Sequence, residues 1–411
     1  MLKIVIPDPG LREYGGHHPA MINSIANTQA VIKGDIHLEV YCNQACSNDF
    51  IVASQSKQVT IKKHFNTDFY QYFYQSPKLI TLNSYIKQLS KEYLCVFEQY
   101  SASEENGKIR TLFLYHTLNG EHAIALASAI FIYNKHNIKP LQHCVFLMFS
   151  PIKHNEYDQF NVRYFLNFKL GFSLLIKQKN VQYYAGEEEL QQHYQYLLNS
   201  NPLKKAKQKI AIHPCGLLSQ NNRKLKKSKT LILFTGDAKV NKGFLSLPSL
   251  VEQIIQNIPE QGIEFIIQYT ITNDGKALKQ VDEQLQSLAK LDSRINLTTR
   301  FWSHTELHEN FSKASSIVFN YDSEIYKNQS SGVLWLAASH NLHMVFLTTN
   351  WLSREAKKLG CEYSECSKEN LSQKICKTFV HKTDNLGKIS KNNYRKQLFQ
   401  DIGEWLLVRR N

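Results

Sequence analysis

Two successive series of short apolar runs, each run followed by a stretch of helical periodicity, constrain this chain more than any other feature. In the first half, residues 3–6, 37–41, 111–115 and 145–149 are compact and apolar, as expected of strands buried on both faces of a parallel sheet. Helical stretches over 19–33 and 121–135 lie between them, and that alternation implies a doubly wound α/β domain. A further strand, turn and acidic-started helix follow over 181–190, and 210–214 is apolar again. The pattern restarts at 231–234, turns at Gly236, and continues with Leu247, Leu250, Val251, Ile254, Ile255 and Ile258 at helical spacing as far as Pro259. Runs at 265–267, 316–319 and 344–347 extend the second series. A polar, basic stretch up to Thr230 separates the two. The chain therefore reads as an N-terminal Rossmann-like domain over 1–215, a second over 216–390, and an amphipathic helix over 391–411 carrying Tyr394, Leu398, Ile402, Trp405 and Leu406 on one face.

Length agrees, because 411 residues exceed one ordinary core and suit two domains of roughly 200 residues. The apolar start meets Pro7 and Pro9 too soon for a secretory core, and the longest later apolar stretch, 123–133, is about half of a bilayer span. A cytoplasmic protein is expected. Eight cysteines, scattered without C-x-x-C pairs, read as reduced thiols rather than zinc ligands or disulfides. The net charge of +14 should attract anions. The basic runs at 204–209 and 223–229 lack the interleaved aromatics of a single-strand platform, so no nucleic-acid partner is expected. A solvated linker, or peripheral contact with an anionic membrane at its inner face, fits them.

Two loops carry the chemistry. The segment 236–244, GDAKVNKGF, leaves a strand and leads toward a helix. Its bracketing glycines and two lysines, Lys239 and Lys242, combine open backbone N–H groups with positive charge, as a diphosphate requires. The segment 321–334, YDSEIYKNQSSGVL, leaves another strand and opens a helix at Ser330, Ser331, Gly332 and Val333, where hydroxyls and N–H groups can face a phosphate. Both loops fall at carboxyl ends of expected strands, where open α/β sheets bind ligands.

These segments, with RFWSHTEL, SSIVFNYDSEIYKNQSSGVL and TTNWLSREAKKLG, resemble bacterial GT-B glycosyltransferases of the retaining, glycosyltransferase-family-4-like group. The likeness is strong over 231–360 and weak over 45–105. It implies two Rossmann-like domains facing across a cleft and transfer of a sugar from a nucleotide-diphospho-sugar to an acceptor hydroxyl with retention. Lys242 and Lys239 would then hold the donor diphosphate together with Ser330, Ser331 and Gly332. Tyr321, Asp322 and Tyr326 would border the sugar or nucleotide, and Arg300 would contact phosphate or base. Gly15, Gly16, His17 and His18 resemble the group's acceptor-side loop, and His116 would touch the transferred sugar. The acceptor would be a polysaccharide or lipid-linked glycan of the cell envelope.

The sequence departs from that group at two glutamates spaced eight residues apart, since the matching registers hold Asn328 with Leu336 or Gln329 with Ala337. Ribose recognition is the property this puts in question, and a catalytically inactive sugar-nucleotide-binding protein is one alternative. A sugar-nucleotide epimerase on the same fold is another. No D-x-D pair, P-loop or G-x-S-x-G elbow occurs, so no metal or other cofactor is expected.

Overall fold

The computed structural model describes residues 1–12, 16–72, 77–100, 110–151, 159–178, 180–199, 210–218, 230–257, 262–271, 275–380 and 393–408. Gly15 and the basic runs at 204–209 and 223–229 lie outside the described residues. Contacts divide the chain into two compact units, Met1–Gly216 with Gln400–Asn411, and Leu217–Phe399.

The first unit is built on strands β1 (Leu2–Pro7), β2 (Ile36–Asn43), β3 (Val59–Phe65), β4 (Arg110–Tyr115), β5 (Gln142–Leu147), β6 (Val181–Ala185) and β7 (Ala211–Ile212). They form one parallel sheet in the order β3-β2-β1-β4-β5-β6-β7. Ile4, Val5 and Ile6 are completely buried, because their alternating side chains enter two different cores, one on each face of the sheet. The second unit repeats the plan with β8 (Thr230–Asp237), β9 (Ile263–Thr270), β10 (Ile295–Thr298), β11 (Ser316–Phe319), β12 (His343–Leu347) and β13 (Tyr363–Cys366). These are also parallel, in the order β10-β9-β8-β11-β12-β13. Helix Leu247–Asn257 turns Leu247, Leu250, Val251 and Ile254 onto this sheet, as its periodicity requires.

Two helices differ from the sequence reading. The stretch 19–33 is not continuous but divides into His17–Ala26 and Gln29–Ile32, where the Thr28 hydroxyl bonds back to the Ile25 carbonyl (2.8 Å). The expected single helix over 391–411 is likewise two, Asn393–Leu398 and Ile402–Val408. Asp401 separates them by accepting the Glu404 N–H (2.9 Å), which starts a new helix rather than continuing the old one. Buried Arg395 fixes the first to carbonyls of the second unit, and Trp405 packs the second against Phe146 and Tyr184 of the first unit. Among the described residues no helix is long and apolar enough to cross a membrane.

Candidate functional site

In the second unit β8 and β11 are neighbours at the point where strand order reverses, the position at which an open α/β sheet forms its crevice. Their register pairs Ser316 with Ile232 and, continued past the strands, brings Asn320 level with Gly236 and Tyr321 level with Asp237. Hydrogen bonds join the two loops: Asp322 N donates to Asn241 O (2.9 Å), and Asn320 Nδ2 donates to Gly243 O (3.2 Å) and Ser246 Oγ (2.8 Å). Gly243 sits at φ 71°, in the left-handed region. This bend interrupts the expected direct entry into a helix. Two 3₁₀ turns, Val240–Lys242 and Phe244–Ser246, precede the helix at Leu247.

Gly236, Asp237, Lys242, Gly243, Asn320 and Tyr321 help line a small pocket of ≈ 40 Å³, room for a phosphate-sized group or about three waters. The Lys242 side chain is only 17% exposed, with Nζ 4.0 Å from Asp237 Oδ2 and 5.9 Å from the Tyr321 ring centroid. Burial lowers its pKa, which Asp237 partly offsets. Lys239 lies further out and pairs with the same carboxylate oxygen at 2.9 Å. Burial would raise Asp237, but Lys242 and Lys239 together hold it below the usual carboxylate range. Tyr321 is buried, and its hydroxyl lies near Ser331 without a hydrogen bond of good geometry.

Ser331 is the N-cap of helix Gly332–Ser339, yet its side chain makes no capping bond. Nothing lies within 4 Å of where a Gly332 Cβ would be, so the backbone there is open to approach. Ser330 and Val333 flank it, both half-buried. Leu336 and Ala337 are buried in the same helix, so apolar packing occupies both glutamate registers.

Other expected residues are placed differently. The Arg300 guanidinium is exposed and committed to Glu306 through two hydrogen bonds (2.6 and 3.0 Å), and only its carbonyl, bonded by Gln268, meets the pocket wall. Asp322 is exposed and accepts the Glu324 and Ile325 N–H groups, so its carboxylate shapes the turn. Tyr326 is buried against Tyr321, ring centroids 4.6 Å apart.

The first unit has its own cluster at the corresponding switch point. The β1–β4 register, which pairs Leu2 with Arg110, sets Asp8 level with His116, and His116 Nε2 donates to Asp8 Oδ2 at 2.9 Å. His18 Nδ1 lies 2.8 Å from Asp8 Oδ1 and 3.0 Å from Oδ2. All three residues are buried. Burial would raise the Asp8 carboxyl, but the two imidazoles hold it well below the usual range. A carboxylate only accepts, so His18 carries its proton on Nδ1 and His116 on Nε2. In the neutral ring His18 Nε2 then accepts from Tyr70 Oη at 3.0 Å, and the phenol is 3.5 Å from His17 Nε2. Gly10 donates its N–H to Asp8 Oδ1 (2.9 Å), and any Cβ on it would collide with the His18 ring. Gly16, at φ 87°, begins the helix carrying His17 and His18. The ligand atoms of Asp8, His18 and His116 lie within 4.8 Å of one another, so they could hold a metal ion. The hydrogen bonds satisfy the same atoms without one.

Sequence reading missed Asp8 and Tyr70. Asp8 had one legible signal, an acid immediately after the first apolar run, but of its two partners His116 is 108 positions away and only strand register brings it there.

No protein-family model matches this chain, and no curated protein does. Several solved structures match over nearly their whole lengths. The α,α-trehalose 6-phosphate synthase from Burkholderia multivorans shares 10% identity over 99% of this chain and 95% of its own, with a TM-score of 0.60. The UDP-GlcNAc 2-epimerase from Neisseria meningitidis bound to UDP-GlcNAc shares 14% over 99% of both chains, TM-score 0.57. Anabaena HepE in complex with UDP and glucose shares 13% over 98% of both, TM-score 0.57. At such identities the likeness defines the fold: two Rossmann-like α/β units of the GT-B type.

Proposed function

We propose that this chain is a glycosyltransferase that holds a nucleotide-diphospho-sugar at the β8–β11 switch point and moves the sugar to an acceptor hydroxyl. One observation carries the reading: half-buried Lys242 stands in a phosphate-sized pocket between two loops hydrogen-bonded to each other at the carboxyl edge of a parallel sheet. As the bond from the anomeric carbon to phosphate breaks, charge builds on the leaving diphosphate. Lys242, Ser331 and the backbone at Gly332 would stabilise it by preorganised electrostatics. The structures in complex with UDP or UDP-GlcNAc support a nucleotide-sugar donor. Retention, a glycan or lipid-linked acceptor and peripheral membrane contact belong to the same proposal. His116, held by Asp8, is its sugar-side histidine.

Titration calorimetry with UDP and GDP tests it. Lys242→Met is expected to weaken binding by about 10- to 150-fold, the equivalent of one charge-assisted hydrogen bond of ~1.5–3 kcal/mol. Unchanged nucleotide affinity in that variant would overturn the reading.

The Asp8–His18–His116 cluster favours a second reading, sugar-nucleotide epimerisation, because a buried carboxylate between two histidines is an acid–base assembly. Incubation with UDP-sugars in deuterated water separates the two. Epimerisation through proton abstraction leaves deuterium on the sugar carbon, whereas transfer releases UDP.

A further inference from the structure

Within the pocket assigned to the donor diphosphate, the position next to both lysines is already taken by a carboxylate. Asp237 is the last residue of β8, and its Oδ2 lies 2.9 Å from Lys239 Nζ and 4.0 Å from Lys242 Nζ. All three groups belong to one nine-residue loop-and-strand segment. A diphosphate oxygen reaching either ammonium must therefore approach a negative group of its own sign.

The local backbone keeps the arrangement compact. Gly236, at φ 132°, has no side chain, and a Cβ there would press on Lys242 Nζ at 3.0 Å. The ammonium can thus lie across the turn beside Asp237. Asn320 holds the far side of the loop through Gly243 O and Ser246 Oγ, which limits how far Lys242 can move from Asp237. The side chain of Asp237 is 27% exposed, enough to leave the lysines without crossing a packed core.

We propose that Asp237 is a built-in competitor for the anion site: its carboxylate neutralises Lys239 and Lys242 in the resting protein and weakens the hold on a diphosphate. This inference rests on the nucleotide-sugar reading for its biological ligand, but its physical content concerns any diphosphate. A released nucleoside diphosphate carries more negative charge than the donor diester. Repulsion from Asp237 therefore falls more heavily on product than on donor, and the residue favours product release.

The test is calorimetric titration of the full chain with inorganic pyrophosphate, UDP and UDP-glucose, comparing the native chain with Asp237→Asn and Asp237→Ser. Both variants are expected to bind pyrophosphate and UDP at least about tenfold more tightly, with a smaller gain for UDP-glucose. Asp237→Asn adds an amide N–H and Asp237→Ser a hydroxyl of shorter reach, so the variants share only the lost carboxylate and a gain in both assigns the effect to the removed charge. Melting without ligand verifies that each variant is folded. Unchanged or weaker pyrophosphate affinity in both folded variants overturns the proposal, and would make Asp237 an organiser of the lysines. If the variants gain pyrophosphate affinity while no form binds UDP, UDP-glucose or GDP, the competitor role stands and the nucleotide-sugar reading fails.

Discussion

Alanine at Gly243 is expected to cost the second unit roughly 4 kcal/mol, the sum of a left-handed backbone forced on an L-residue and an overpacked contact. The residue lies at φ 71°, and an added Cβ would overlap the Asn320 carbonyl oxygen. That oxygen is backbone, so no rotamer change relieves the clash, and the loop carrying Lys242 must part from the loop carrying Tyr321. Urea denaturation followed by tryptophan fluorescence reads this well, because Trp302, Trp335 and Trp351 lie in the second unit and Trp405 in the first. Gly262→Ala is the control. Nothing lies within 4 Å of its Cβ position, so its effect should stay within about 0.5 kcal/mol. A Gly243→Ala protein as stable as Gly262→Ala would show that the two loops are not locked together as described.

The interlock also explains which parts of the site were legible in the sequence. Lys242 and the Ser-Ser-Gly helix start stand out because each is a local pattern: a glycine-bracketed turn, and small hydroxyl residues before an apolar helix. Asp237 sits inside the same motif but means nothing until Lys239 and Lys242 fold back onto it. The family resemblance gave Arg300 a contact with phosphate or base. Its partner, Glu306, is six residues on, where the capping box of helix His304–Lys313 holds it.

The same distinction governs the strands. The central runs announced themselves because a strand buried on both faces is nearly all apolar. β3, β10 and β13 did not, and each is the outermost strand on an edge of its sheet. β3 reads VTIKKHF with Lys62 and Lys63 exposed, a polar, lysine-bearing edge of the kind that discourages further pairing. At these three edges the hydrophobic signal is lost and only the assembled sheet identifies the segments, whereas the remaining edge strand, β7, lies in the apolar run legible at 210–214.

Mild acid is expected to destabilise the first unit by about 4 kcal/mol between pH 7.5 and 5.5, through three histidines buried as neutral rings. Burial pushes His122 down to about 3, His143 down to about 3 and His213 down to about 4, from an ordinary value of 6.5. Each unfolded ring takes a proton near pH 6.5 that its folded counterpart refuses. Stability is therefore full above that pH and falls with decreasing pH until the folded values are reached, by ~1.4 kcal/mol per ring per pH unit. Asp8 has the same sign but a lower window: its carboxyl is depressed from a carboxylate value, so its contribution is lost only below about pH 4. Hydrogen exchange at the two pH values, corrected for intrinsic rates, should show first-unit peptides losing protection well beyond those of the second unit. His143→Gln keeps an acceptor for the Tyr115 hydroxyl, which lies 3.0 Å from His143 Nδ1, but cannot titrate, and should remove about a third of the pH dependence. Equal protection of the first unit at both pH values would mean that these rings are hydrated in the folded protein.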